Sequence, residues 1–165
     1  MKSLQTIKKE VLKLNKTTQP IDPDIFDLLV GLRAFNIPTQ GSCFGHKERA
    51  WTFPFADIRA NDSHILYDDY SKKMVKIKKT WIRENVAIQK KLIDLLTEFY
   101  NTRKVEYKYR ISLHTMIDWA WVRLKCTGAD LLLDMPLKTF KKELLIYQNE
   151  MKTFGSFLIN KYQNA

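Results

Sequence analysis

The chain has 165 residues, 45% of them hydrophobic, which suits one folded domain with its own core and excludes a disordered chain. Its 28 Lys and Arg against 18 Asp and Glu leave a net charge of +10, which favours an anionic partner, nucleic acid before a membrane surface, without specifying a fold. Two cysteines are too few for a disulfide framework, and no apolar run reaches the roughly 18 residues of a membrane span, so a cytoplasmic protein with reduced thiols is expected.

In chain order, Leu4, Ile7, Val11 and Leu14 recur at steps of three and four between lysines. That spacing predicts a narrow-striped amphipathic helix docked on the domain, and the lysine-interrupted N-terminus does not read as a secretory signal. Asp22-Pro23 follows, with Asp as N-cap and Pro in the first turn of a helix running to about Phe35. Thr39 to Cys43 reads as a short strand. Trp51 to Arg59 reads as a second, with Pro54 pointing to an edge position or a bulge. After a polar connection, Met74, Ile77, Trp81, Ile88, Leu92, Leu95 and Phe99 form the stripe of a long helix from about Lys72 to Thr102, with Asn85 on the same line. At 1.5 Å per residue it measures about 45 Å.

The clearest strand signal comes next. Val105, Tyr107, Tyr109, Ile111 and Leu113 alternate with polar residues, and Ala120, Val122, Leu124 and Cys126 do the same. The pattern predicts a hairpin with one apolar and one polar face. From Pro136 on, Leu137, Phe140, Leu144, Tyr147, Met151, Phe154 and Leu158 mark a second long helix. Its heptad-like steps predict packing alongside the first as in a short coiled coil, and also offer a surface for a homodimer. Gly155 in this helix allows a neighbour to approach closely. The whole is expected to be a single α+β domain: an antiparallel sheet of about four strands covered on one face by two long helices, with shorter N-terminal helices.

The residues with most chemical potential lie in the turn Gly41-Ser42-Cys43-Phe44-Gly45-His46. A thiol beside a base and backbone N–H groups becomes nucleophilic, so Cys43 and His46 are the candidate catalytic pair. The same C-x-x-H spacing could supply two metal ligands, completed from His64, His114, Cys126 or Asp residues; Cys126 is a poor choice on the apolar hairpin face. The plain structural alternative is a buried Cys at a strand end with His46 capping the turn. The run from Ile25 to His46 resembles small bacterial and phage-encoded proteins that carry a G-I-x-T-x-x-S-C-x-G-H turn between an amphipathic helix and a strand. Asn36, Ile37, Thr39, Ser42, Cys43, Gly45 and His46 carry that likeness, which implies no activity. The turn is more loosely similar to the S-C-S-G-R turn of the wybutosine-synthesis methyltransferases, through Ser42, Cys43 and Gly45, with His46 in place of Arg. Neither likeness extends beyond about 25 residues, and no cofactor is expected.

The polar hairpin face supplies the candidate nucleic-acid-binding residues: Lys108, Arg110 and His114 on one strand, Trp119, Trp121, Arg123 and Lys125 on the other. Rings that stack on bases and cations that neutralise phosphate suit single-stranded RNA. The alternative is a face that is merely solvated, or whose tryptophans pack under another element. Asp57, Asp62, Asp68 and Asp69 are carboxylates that could hold Mg²⁺, although Asp is also an ordinary turn former. The leading expectation is a small basic RNA-facing protein. The alternatives are an enzyme using Cys43 and His46 on a nucleotide or phosphorylated substrate, and a dimeric adaptor or phage-type effector.

Overall fold

The computed structural model describes residues 2–14, 21–46, 52–60, 72–115 and 121–165, with the side chains of 14 and 72–78 excepted. The helices are α1 (Leu4–Leu14), α2 (Phe26–Ala34), α3 (Lys72–Asn101) and α4 (Leu137–Gln163). The strands are β1 (Thr39–Cys43), β2 (Phe55–Ile58), β3 (Ile111–Thr115) and β4 (Val122–Cys126). They form one sheet in the order β1-β2-β4-β3, with every neighbouring pair antiparallel. The fold is α+β.

Alternation along the strands divides the sheet into two faces. Ala56, Ile58, Val122, Leu124, Cys126 and Ile111 share one face and are almost wholly buried. Helix α4 covers it: Cys126 Sγ lies 4.0 Å from Tyr147 O, and Tyr147 Oη donates to Gly128 O at 3.0 Å. Phe140, Leu144, Met151, Phe154 and Leu158 continue the same buried stripe. Burying side chains of this size contributes about 1.5–3 kcal/mol each.

The stripes of α3 and α4 do not run side by side as the heptad spacing predicts. The helix lying along α4 is α2. A Cβ on Gly155 would stand 2.8 Å from Leu28 N, and one on Gly31 would stand 2.7 Å from Leu158 Cβ, so this crossing needs both glycines. Helix α3 meets α4 near one end, where the Phe99 ring packs 5.1 Å from Phe154 and 5.3 Å from Phe157. Leu92, Leu95 and Phe99 of α3 and Phe140, Leu144, Tyr147, Met151, Phe154 and Leu158 of α4 are buried in the chain's own core, whereas Leu137 is exposed and the side chains of Met74 and Ile77 lie outside the described residues. The polar residue on the α3 stripe is an anchor. Asn85 accepts from Ala60 N at 2.9 Å and donates to Trp81 O at 2.9 Å, while Trp81 Nε1 donates to Ala60 O at 3.2 Å.

Helix ends follow local chemistry. Asp22 Oδ1 accepts from Asp24 N, but the turn it caps is a 3₁₀ turn at Pro23–Ile25 that leads into α2. At the far end, Asn36 takes φ 57°, Asn36 N donates to Arg33 O and Ile37 N donates to Leu32 O. This pair of hydrogen bonds is a Schellman motif, and Leu32 and Ile37, the two positions it joins, are both fully buried.

Two strand expectations change. Among the described residues, which do not include Trp51, the second strand is confined to Phe55–Ile58 and lies inside the sheet, between β1 and β4, with Pro54 just before it where its missing N–H costs no ladder bond. The irregularity falls on β1, whose register shifts between Thr39 and Gly41. The alternation from Val105 does not make a strand until Ile111, because Tyr107–Tyr109 closes a 3₁₀ turn. No helix among the described residues is long and apolar enough to cross a membrane.

Candidate functional site

The face of the sheet opposite the core carries most of the residues with reactive or charged groups. Pairing of Gly41 with Asp57, Asp57 with Arg123 and Arg123 with His114 lays those four in one row across all four strands. Cys43 with Phe55, and Lys125 with Ser112, make the next row. The alternation that separates the two faces thus brings Cys43, Asp57, Arg123, Lys125, His114 and Ser112 onto one surface. Strands stand about 4.8 Å apart, so Cys43 and Lys125 are about 10 Å apart across Phe55.

At one end of this face, β1 runs into the Cys43–His46 turn. Gly45 takes φ +84°, and a Cβ there would lie 2.8 Å from Phe53 C and 2.9 Å from Leu144 Cδ1. Only glycine meets both demands. Helix α4 clamps the turn: Gln148 Nε2 donates to Phe44 O and Gly45 O, each at 3.1 Å, and Lys152 Nζ sits 4.9 Å over the Phe44 ring. Gly45 N donates to Cys43 Sγ at 3.3 Å, a contact that stabilises negative charge on sulfur. His46 turns to the start of the preceding helix, with Nε2 2.8 Å from Asp22 Oδ2. That Asp22 oxygen is buried and accepts no hydrogen bond of good geometry. Cys43 is half-buried, whereas Cys126 is wholly buried on the opposite face and its thiol is pushed well up by burial.

The cations of the hairpin are neutralised inside the fold. Arg123 donates from Nε to Asp57 Oδ1 at 2.7 Å and from Nη2 to Asp57 Oδ2 at 2.9 Å, with its guanidinium 4.0 Å over the Phe55 ring. Their side chains are 11% and 15% exposed, which makes the pair a strut rather than a phosphate hook. Lys125 is 6% exposed, bonds both Asp130 oxygens at 2.6 and 2.5 Å, and lies 4.8 Å over Phe53. Lys108 and Arg110 precede the strand, so they do not join this face as the alternation predicts. Lys108 pairs with Glu143 on α4 at 3.3 Å. Arg110 donates from Nε to Val105 O and lies 5.5 Å over Tyr100.

What remains on the β3 side is uncharged. Burial, with Lys125 nearby, lowers the His114 pKa, so the ring is neutral near pH 7 and shares a 2.9 Å hydrogen bond with Ser112 Oγ. Trp121 is half-buried and immediately precedes β4. Trp119, His64, Asp62, Asp68 and Asp69 lie outside the described residues. Asp57 is held by Arg123, and no group of three His, Cys, Asp or Glu able to hold a metal occurs among the described residues.

Several partners were invisible in the sequence. Gln148 and Asp22 reach the turn from residues far away in the chain, and Asp57 and Asp130 quench the two hairpin cations. Most of the exposed cations without a carboxylate partner among the described residues lie instead on the helices, with Lys104 in the loop after α3. Lys138, Lys141 and Lys142, in the opening turns of α4, are the closest-spaced of these. Comparison with protein-family models, with curated proteins and with solved structures gives no match.

Proposed function

We propose that this chain is a basic nucleic-acid-associated protein that engages phosphate through lysines on its helices, not through the cations of its hairpin. The observation carrying this reading is the division of charge. Arg123, Lys125 and Lys108 each have an internal carboxylate, while Lys138, Lys141 and Lys142 are exposed in successive turns at the positive end of the α4 dipole. Trp121, just before β4, offers a ring, and the neutral His114–Ser112 pair on β3 offers hydrogen-bonding groups, of the kinds that hold unstacked bases, which favours single-stranded RNA. The test is the salt dependence of RNA binding by the chain and by a variant with all three lysines changed to Ala. Weakened binding with a shallower salt dependence supports the reading; identical binding opposes it.

A second reading rests on a different observation, the Gly45 N–H directed at the half-buried Cys43 sulfur. In it the chain is an enzyme whose nucleophile is Cys43, with His46 as base, on a nucleotide or phosphorylated substrate. It requires Cys43 to react with iodoacetamide well below the pH of a free thiol, whose pKa is about 8.5. An alkylation rate that follows an ordinary thiol titration ends this reading.

A further inference from the structure

We propose that the outer edge of β3, together with α3, is a docking groove for an extended peptide that adds a strand to the sheet and places a carboxylate on Arg110. β3 is the last of the described strands in the sheet order. Two hydrogen bonds fix which of its backbone groups point outward. Thr127 N donates to Arg110 O at 2.8 Å, so residue 110 faces β4; Ile111 N donates to Tyr100 Oη at 2.7 Å, so residue 111 faces away from β4. In an antiparallel ladder the direction alternates, and the N–H and C=O of Leu113 and Thr115 therefore also point outward.

Tyr100 on α3 already does at Ile111 what a further strand would do at the next two outward positions. Its hydroxyl accepts the Ile111 N–H and donates to Glu150 Oε1 at 2.9 Å. Beyond it a groove of about 760 Å³ runs between α3 and β3, large enough for several residues of extended chain. Ile93, Leu96 and Leu113 supply an apolar floor, with Ile93 54% exposed. Among the described residues, no carboxylate lines the groove and Arg110 is its one cation. The Arg110 guanidinium is held by Val105 O and by the Tyr100 ring, and no carboxylate among the described residues pairs with it. Outward backbone groups at alternate residues select a strand rather than a helix or a globular ligand. An apolar floor selects alternate apolar side chains, and the unopposed Arg110 selects an acidic or C-terminal carboxylate at one end.

The test uses the full chain and a fluorescein-labelled hexapeptide of alternating valine and threonine with a free C-terminus. Comparison peptides carry a C-terminal amide or N-methyl groups on alternate residues. Expected are binding by the free-acid peptide, at least about tenfold weaker binding of the amide or by Arg110→Gln, and loss with the N-methyl peptide. Peptide binding should also protect the Leu113 and Thr115 amides from hydrogen exchange. Thr97→Trp changes an exposed α3 residue of the groove and is expected to block binding while the thermal unfolding midpoint stays within a few degrees of the parent's. Absence of binding by all three peptides overturns the proposal. So does binding indifferent to both Arg110→Gln and Thr97→Trp, or a dimer that protects the β3 amides without peptide, which would assign the edge to a second copy.

Discussion

Arg123 and Asp57 are cross-strand neighbours on β4 and β2, joined by two parallel hydrogen bonds of 2.7 and 2.9 Å with the guanidinium stacked 4.0 Å over Phe55. A hairpin arginine that reads as a phosphate hook is thereby committed to the sheet. Removing either partner leaves a half-buried charge, so Asp57→Ala and Arg123→Ala should each cost roughly 2–4 kcal/mol. The double variant should cost clearly less than the sum, since the second change removes the orphaned charge. Urea denaturation of the singles and the double measures this; additive costs contradict the strut.

His114 makes stability depend on pH in a defined direction. Burial and Lys125 lower its pKa in the folded state. As pH falls, the unfolded chain therefore takes up this proton first, near pH 6.5, and folding stability drops from there until the native ring also protonates. Above about pH 6.5 the contribution is fully present. Comparing urea midpoints of the parent and His114→Gln at pH 7.5, 6.5 and 5.5 isolates this ring. The parent should lose more stability than the variant over the acid step, and equal losses would remove His114 as the cause.

The turn at Cys43 and the end of α2 give opposite predictions for glycine. Gly45 at φ +84° has Phe53 backbone where a Cβ would go, so Gly45→Ala should cost about 1–3 kcal/mol and loosen the grip of Gln148 on the turn. Asn36 at φ 57° is exposed, so Asn36→Gly relieves the left-handed strain and should be neutral or slightly stabilising. Thermal melts of the two variants distinguish these effects by sign.

Asn85 ties α3 to the chain just after β2 by accepting the Ala60 N–H in a site 1% exposed. Asn85→Leu fits the apolar stripe but orphans that N–H, and should cost about 1–3 kcal/mol. Faster hydrogen exchange at Ala60 in the variant checks the cause as well as the size of the effect.

The periodicities carried most of the fold because local backbone preference and burial agree there. The span of α3, the strand Val122–Cys126 and the stripe of α4 all follow from steps of two or three to four. The failures have physical reasons. Tyr107 and Tyr109 alternate like a strand, yet the chain makes a 3₁₀ turn before β3: Lys108 and Tyr109 both bond Glu143, and Lys108 O accepts from Gly128 N. Heptad spacing on α3 and α4 matched two long helices to each other, whereas Gly31 and Gly155 bring α2 against α4. The candidate site was half legible. Alternation groups Arg123, Lys125 and His114, but it cannot reveal Asp57 and Asp130 as their partners or place Cys43 on the same face, because those facts are strand order and register.

The most direct test of the proposed function is fluorescence anisotropy with a labelled single-stranded RNA over a salt series, for the parent, Lys138→Ala/Lys141→Ala/Lys142→Ala and Arg123→Ala. For single strands the log–log salt slope is about −0.7 per neutralised phosphate. The account predicts that the triple variant binds more weakly and has a slope shallower by about 2, while folded Arg123→Ala keeps the parent slope. A triple variant that matches the parent in affinity and slope, or an Arg123→Ala that loses the salt dependence, would contradict it.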